Sequence, residues 1–101
     1  MKSALAWLEA RGSGAPIALL ERARQYVDQA GPDSDPAQVL AQAGVTALEA
    51  TVRSGSGRAA ALDLLAADAL VTLALLVQAE LDPASLASFA RRVRHAGAAI
   101  T

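Results

Sequence analysis

Asp68 is the residue whose type and surroundings most call for a chemical explanation. It lies between Ala67 and Ala69 in the most apolar stretch of the sequence, and Thr72 follows four residues later. Side chains four residues apart share one face of a helix, so the Asp68 carboxylate and the Thr72 hydroxyl would lie together. A carboxylate buried without a partner is costly. The pair therefore predicts a ligand contact or buried polar group in a pocket between helices, an ion pair with an arginine of another helix, or an exposed seam.

The ion pair and the seam are favoured over the ligand contact, because burial of a charge alone rarely marks a functional site. Asp63 is the other acidic residue of this stretch. It needs less explanation, since it falls near the start of the helix, where negative charge is stabilised. Asp68 is therefore the stronger candidate of the two for a functional role.

The densest charge cluster is a basic patch formed by Arg91, Arg92, Arg94 and His95. Such a patch could contact a phosphate, a nucleic-acid backbone or an acidic partner. Cations near a helix C-terminus are also stabilised by the helix dipole, and the neighbouring Phe89 falls on the buried side, where it cannot stack on bases. Three arginines neutralise about three phosphates, so we expect a solvated face without specific nucleic-acid binding.

The arrangements that support enzyme catalysis are missing from this sequence. It contains one histidine and no cysteine, and no strand precedes the Ser54-Gly55-Ser56-Gly57 segment as a phosphate-binding loop would require. The serines fall mostly in turns, where helix capping explains them better than nucleophilic chemistry. We therefore expect no enzyme activity, no cofactor and no metal site.

One segment, Leu40–Glu49, looks like the first helix and turn of a helix-turn-helix, with Ala-Gly-Val-Thr at the corner. Thr46 and Glu49 would supply a capping box for a second helix. The segment that would read DNA is short, carries one basic residue and runs into a glycine turn. The alternatives are that Gly44 permits close helix packing or kinks the helix.

The composition predicts a helical protein of one domain, residues 1–101. Hydrophobic residues make up 53% and charged residues 19%, with a net charge of −1, so no global positive field attracts nucleic acid or anionic lipid. The apolar stretch Ala4–Leu8 is too short for a signal peptide. The longest uncharged apolar run, Ala69–Ala79, is shorter than the roughly 20 residues of a membrane span, so we expect a cytoplasmic protein.

Glycine, proline and aspartate residues divide the chain into five helical segments. Short links make consecutive helices antiparallel, so the expected fold is an all-α, up-and-down bundle of four principal helices plus a short N-terminal one. The helix at 58–81 carries leucine and valine around its whole circumference, which predicts a central and largely buried helix. The segments are residues 4–11, 16–30, 36–53, 58–81 and 83–100.

The long apolar helix also predicts an interface. Four shorter helices cannot easily cover it, so we expect a homodimer or a protein partner on its apolar surface. The function favoured by the sequence is a non-enzymatic helical interaction module. Alternatives are a small-ligand-binding domain with a pocket around Asp68, Thr72 and Tyr26 or Trp7, and a helix-turn-helix-like DNA-binding accessory protein. The expected core residues are Trp7, Leu8, Leu20, Val27, Leu40, Leu48, Leu65, Leu73, Leu76, Phe89 and Val93.

Overall fold

The computed structural model describes residues 2–100, which form five α-helices and no β-strand. A short 3₁₀ turn, Pro83–Ser85, separates the last two helices. The predicted all-α fold with a short N-terminal helix is confirmed. The helices are α1 (Ala4–Arg11), α2 (Ile17–Ala30), α3 (Pro36–Ser54), α4 (Arg58–Leu81) and α5 (Leu86–Ala98).

Local capping explains where several helices begin. The Ser3 hydroxyl accepts a hydrogen bond from the backbone N–H of Ala6 at the start of α1. The Asp35 carboxylate accepts one from Gln38 at the start of α3. Helix α4 starts without a side-chain cap. The residue before α4 is instead Gly57, whose φ of +97° helps the chain reverse direction between α3 and α4.

Helices α3 and α4 form the most extensive helix pair among the described residues. Gly44 makes their close approach possible, because a Cβ atom at this position would lie 2.7 Å from Cγ2 of Val71. Helix α3 runs unbroken through Gly44. The close-packing explanation of Gly44 is therefore the correct one, and the corner of a helix-turn-helix does not form here.

Helix α4 lies at the centre of the bundle and contacts α2, α3 and α5. One side of it is buried, and Leu70 and Val77 on that side are among the largest fully buried side chains. The expectation that Leu65 and Leu76 belong to the core was wrong, since they are 55% and 37% exposed on the other side. The pattern of leucines around the whole helix did not show which side faces inward. Of the other expected core residues, the structure buries Trp7, Leu8, Val27, Leu40, Leu73 and Phe89 and partly buries Leu20, Leu48 and Val93.

Helix α4 is the one helix within residues 2–100 that is long and apolar enough to cross a membrane by length and composition alone. Less than half of its most apolar stretch is buried inside the protein. Core helices of soluble proteins meet the same criterion, so this is weak evidence for a membrane span.

Candidate functional site

An apolar groove with a volume of about 760 Å³ runs along the C-terminal half of α4. Side chains of α4 form its floor, the end of α1 with the start of α2 forms one wall, and α5 contributes to the other. The groove is open to solvent on one side. Six of the residues that give it its apolar character are Leu8, Leu19, Leu20, Leu75, Leu76 and Leu86.

Asp68 and Thr72 both line this groove. They share one face of α4, as their four-residue spacing predicts. Both are exposed, and neither side chain forms a hydrogen bond or ion pair within the described chain. The interpretation of Asp68 and Thr72 as a buried polar pair was therefore wrong, and so was the ion pair with another helix. The third alternative is correct, since Asp68 and Thr72 lie side by side on an exposed strip of α4. Trp7 and Tyr26, suggested as further pocket residues, are buried and do not line the groove.

The exposed apolar face of α4 continues beyond the groove toward the start of the helix. There Leu64 is 51% exposed and Leu65 is 55% exposed. Helix α4 thus has two different halves on its outer side. Leu64 and Leu65 in the N-terminal half are exposed outside the groove, whereas Thr72 and Leu76 in the C-terminal half belong to the groove lining.

The buried carboxylate of α4 belongs to Asp63, which is only 4% exposed. Its Oδ1 atom accepts a hydrogen bond from the Tyr26 hydroxyl at 2.7 Å and one from Arg22 Nη1 at 3.2 Å. Both donors lie on α2, so this cluster ties α2 to α4. The three side chains contact one another between α2 and α4, which gives them a structural role.

The spacing of the three residues in the sequence is a signal for this cluster. Asp63 lies five residues before Asp68, which places the two on nearly opposite sides of a helix at about 100° per residue. Arg22 and Tyr26 are four residues apart on α2, so they share a face and can reach one acceptor. The position of Asp63 near the start of α4 favours a negative charge whether or not the side chain is buried, so position alone did not predict its burial.

Tyr26 makes the cluster sensitive to alkaline pH. The pKa of the Tyr26 phenol is raised above its usual value of 10.0. Burial is the largest cause, and the hydrogen bond to Asp63 is the second. Because the folded protein holds this proton more tightly than the unfolded chain, its contribution to stability is complete below the unfolded pKa of about 10. It is lost as the pH rises through the folded-state pKa. We therefore expect the free energy of unfolding to fall above about pH 10, as measured by denaturant unfolding across this range.

Tyr26→Phe is the control for the pH effect, because it removes the phenol and keeps the ring. It should make the stability of the protein less dependent on pH in this range. The sequence contains a single tyrosine, so ultraviolet absorbance of the phenolate reports its titration directly. Titration at or below the usual tyrosine pKa in the folded protein would contradict the expected shift.

The basic patch of Arg91, Arg92, Arg94 and His95 is exposed along α5. Arg92 lies over the ring of Phe89, with its guanidinium carbon 5.7 Å from the ring centroid. Phe89 itself is buried, as expected, and cannot stack on a base. None of the four basic side chains forms an ion pair within residues 2–100. The patch remains a solvated face in this structure.

The described part of the chain contains no group of three or more histidine, cysteine, aspartate or glutamate side chains that could hold a metal ion. Its most distinctive surface is the apolar groove together with the exposed leucines of α4. Comparisons with protein-family models, with curated proteins and with solved structures found no match to this chain.

Proposed function

We propose that this chain is a non-enzymatic helical interaction module that forms a homodimer through the outer face of α4. The observation that carries the proposal is the continuity of the exposed leucines at Leu64 and Leu65 with the apolar groove around Leu76. Together they make one largely apolar surface along the longest helix of the bundle, with Asp68 and Thr72 as its polar groups. Large contiguous apolar patches on a protein surface often mark binding sites, whereas single exposed apolar residues do not.

A second copy of the chain fits this surface because each copy offers both a set of protruding leucines and a groove that can receive them. In a two-fold interface the same surface serves both copies, so each contact occurs twice. Removing the remaining exposed part of a half-exposed leucine from water contributes roughly 1 kcal/mol. Leu64, Leu65 and Leu76 would each supply this contribution twice.

Light scattering coupled to size-exclusion chromatography at micromolar concentration tests the proposal. We expect a mass about twice the 10.3 kDa of one chain. Leu65→Asp should weaken the dimer by about 100-fold or more, because it places a charged group twice in an apolar interface. The variant should remain helical by circular dichroism, since Leu65 is more than half exposed in the single chain.

Leu5→Asp is the matched control for Leu65→Asp. Leu5 is an exposed leucine of α1, 38% exposed, and it lies away from the groove. This variant should keep the dimer. A wild-type chain that runs as a monomer, or equal effects of the two substitutions on the mass, would contradict the proposal.

Small-ligand binding is the second candidate, favoured by the volume of the groove and by its two polar groups. Ligand pockets usually enclose about 300 to 1,000 Å³ and combine an apolar lining with a few polar side chains. The groove meets this description with its 760 Å³, Asp68 and Thr72. A monomeric wild-type chain in the light-scattering experiment would favour this candidate. We propose no DNA-binding role, because the helix-turn-helix corner that suggested it does not form in α3, which is continuous through Gly44.

A further inference from the structure

We infer that the two copies pack antiparallel along α4, with the two-fold axis near residue 70, so that the carboxylate of Asp68 accepts a hydrogen bond from the partner's Thr72. The same hydrogen bond forms a second time with the roles of the two copies exchanged. This inference rests on the proposed homodimer and specifies its geometry.

The first argument is the order of residues along the outer face of α4. At about 100° per residue, Ala61, Asp68, Thr72 and Ala79 fall within a narrow strip of the helix surface. The leucines at 64, 65, 75 and 76 flank this strip. The face therefore has polar groups at its centre and apolar groups toward both ends.

The second argument is the symmetry of these spacings. A two-fold axis near residue 70 brings together positions whose numbers sum to about 140. Asp68 then faces Thr72, and Ala61 faces Ala79 of the other copy. The same operation sets Leu64 against Leu75 and Leu65 against Leu76. Every position of the face thus meets a residue of compatible size and polarity.

A parallel pair is disfavoured by the charge of Asp68. When two identical helices pack in parallel about a two-fold axis, each residue faces its own copy. The two Asp68 carboxylates would then meet in an apolar interface, where like charges repel strongly. The antiparallel pair replaces this repulsion with two hydrogen bonds to the Thr72 hydroxyls.

The third argument is the shape of the two halves of α4. The N-terminal half presents Leu64 and Leu65, while the C-terminal half lies in the groove with Thr72 and Leu76. An antiparallel arrangement inserts the protruding half of each copy into the groove of the other. A parallel arrangement would set groove against groove and leave both unfilled.

The Thr72 hydroxyl has a specific task in this arrangement. Asp68 is exposed in the single chain and would lose water on dimerisation, which costs free energy unless a donor replaces that water. A hydrogen bond from a hydroxyl to a carboxylate is short and strong compared with one between neutral groups. Thr72 therefore makes a charged residue tolerable at the centre of an apolar interface.

Cysteine cross-linking tests the register, because the natural sequence contains no cysteine. We expect Ala61→Cys/Ala79→Cys to form a covalent dimer on oxidation, seen on a non-reducing gel. Each single variant should remain uncross-linked. Identical positions would lie roughly 27 Å apart at 1.5 Å per residue, far beyond the roughly 7 Å limit between the Cα atoms of a disulfide.

The outcomes separate the register from the proposed function. Cross-linking of either single variant would show a parallel pair and overturn the antiparallel register. A double variant that dimerises by light scattering but does not cross-link would also overturn the register and leave the interaction module intact. If the double variant and the wild-type chain were both monomeric, the result would contradict the antiparallel register and the proposed homodimer.

Substitutions at Thr72 test the central hydrogen bond. Thr72→Val keeps the shape of the side chain and removes its donor, so the dimer should weaken by about 10-fold or more. Thr72→Ser keeps the hydroxyl and should restore most of the affinity, as measured by sedimentation equilibrium. Equal affinities for the valine and serine variants would overturn the assignment of this hydrogen bond.

Discussion

Asp63→Ala is expected to lower the free energy of unfolding by about 3 kcal/mol. The substitution removes the acceptor of two hydrogen bonds, one from Tyr26 and one from Arg22. The Tyr26 hydroxyl would stay buried without a partner, and the Arg22 guanidinium would lose its counter-ion. Because Arg22 is one-third exposed, water compensates part of its loss, which places the effect toward the lower end of the range for broken buried pairs.

Denaturant unfolding followed by circular dichroism measures this effect, and Asp28→Ala provides the control. Asp28 is an exposed aspartate of α2, and its side chain has no ion pair within the described residues. Its replacement should change stability by no more than about 0.5 kcal/mol. If the two alanine variants were equally stable, the cluster around Asp63 would contribute nothing to holding α2 against α4.

Gly44→Leu is expected to cost more than about 3 kcal/mol, because it forces a large side chain into the contact between α3 and α4. Even a single Cβ at this position would lie 2.7 Å from Cγ2 of Val71 and 3.2 Å from its backbone nitrogen. The side chain of Val71 can turn aside, but the backbone nitrogen can move only with the helix. The two helices must therefore separate, which disturbs the centre of the core.

Alanine substitutions at two helical glycines provide a matched comparison. Gly44→Ala should be destabilising by about 1 to 2 kcal/mol, since the clash outweighs the gain of up to about 1 kcal/mol in helix propensity. Gly97→Ala should be stabilising, because its nearest neighbour would be an ordinary contact at 3.9 Å from Leu48. Thermal unfolding of the two variants checks the sign. A stabilising Gly44→Ala would show that the α3–α4 contact is loose.

The helices could be predicted from the sequence because local residues decide where they begin and end. The Asp35 and Ser3 side chains act on neighbours within three residues, and each accepts a hydrogen bond from the backbone N–H three positions later. The orientation of α4 could not be predicted in this way. With leucines on every side, hydrophobicity did not distinguish the inner row of Leu70 and Val77 from the outer Leu65.

The candidate site was predictable only in part. The four-residue spacing of Asp68 and Thr72 correctly placed them on a common face, which is a property of one helix. The walls of the groove come from α1, α2 and α5, and their positions depend on how the bundle packs. The burial of Asp63 depends in the same way on Arg22 and Tyr26 of another helix. Contacts of this kind are not encoded by spacing within one segment.

The contact between α3 and α4 also bears on the order in which the chain folds. These helices are consecutive and joined by a short link at residues 55–57, so their contacts close a small loop and lose little chain entropy on forming. Contacts that are local in sequence form quickly. The α3–α4 hairpin would therefore be the nucleus on which α1, α2 and α5 assemble. Substitutions at Gly44 would then slow folding, whereas substitutions in α1 would mainly speed unfolding.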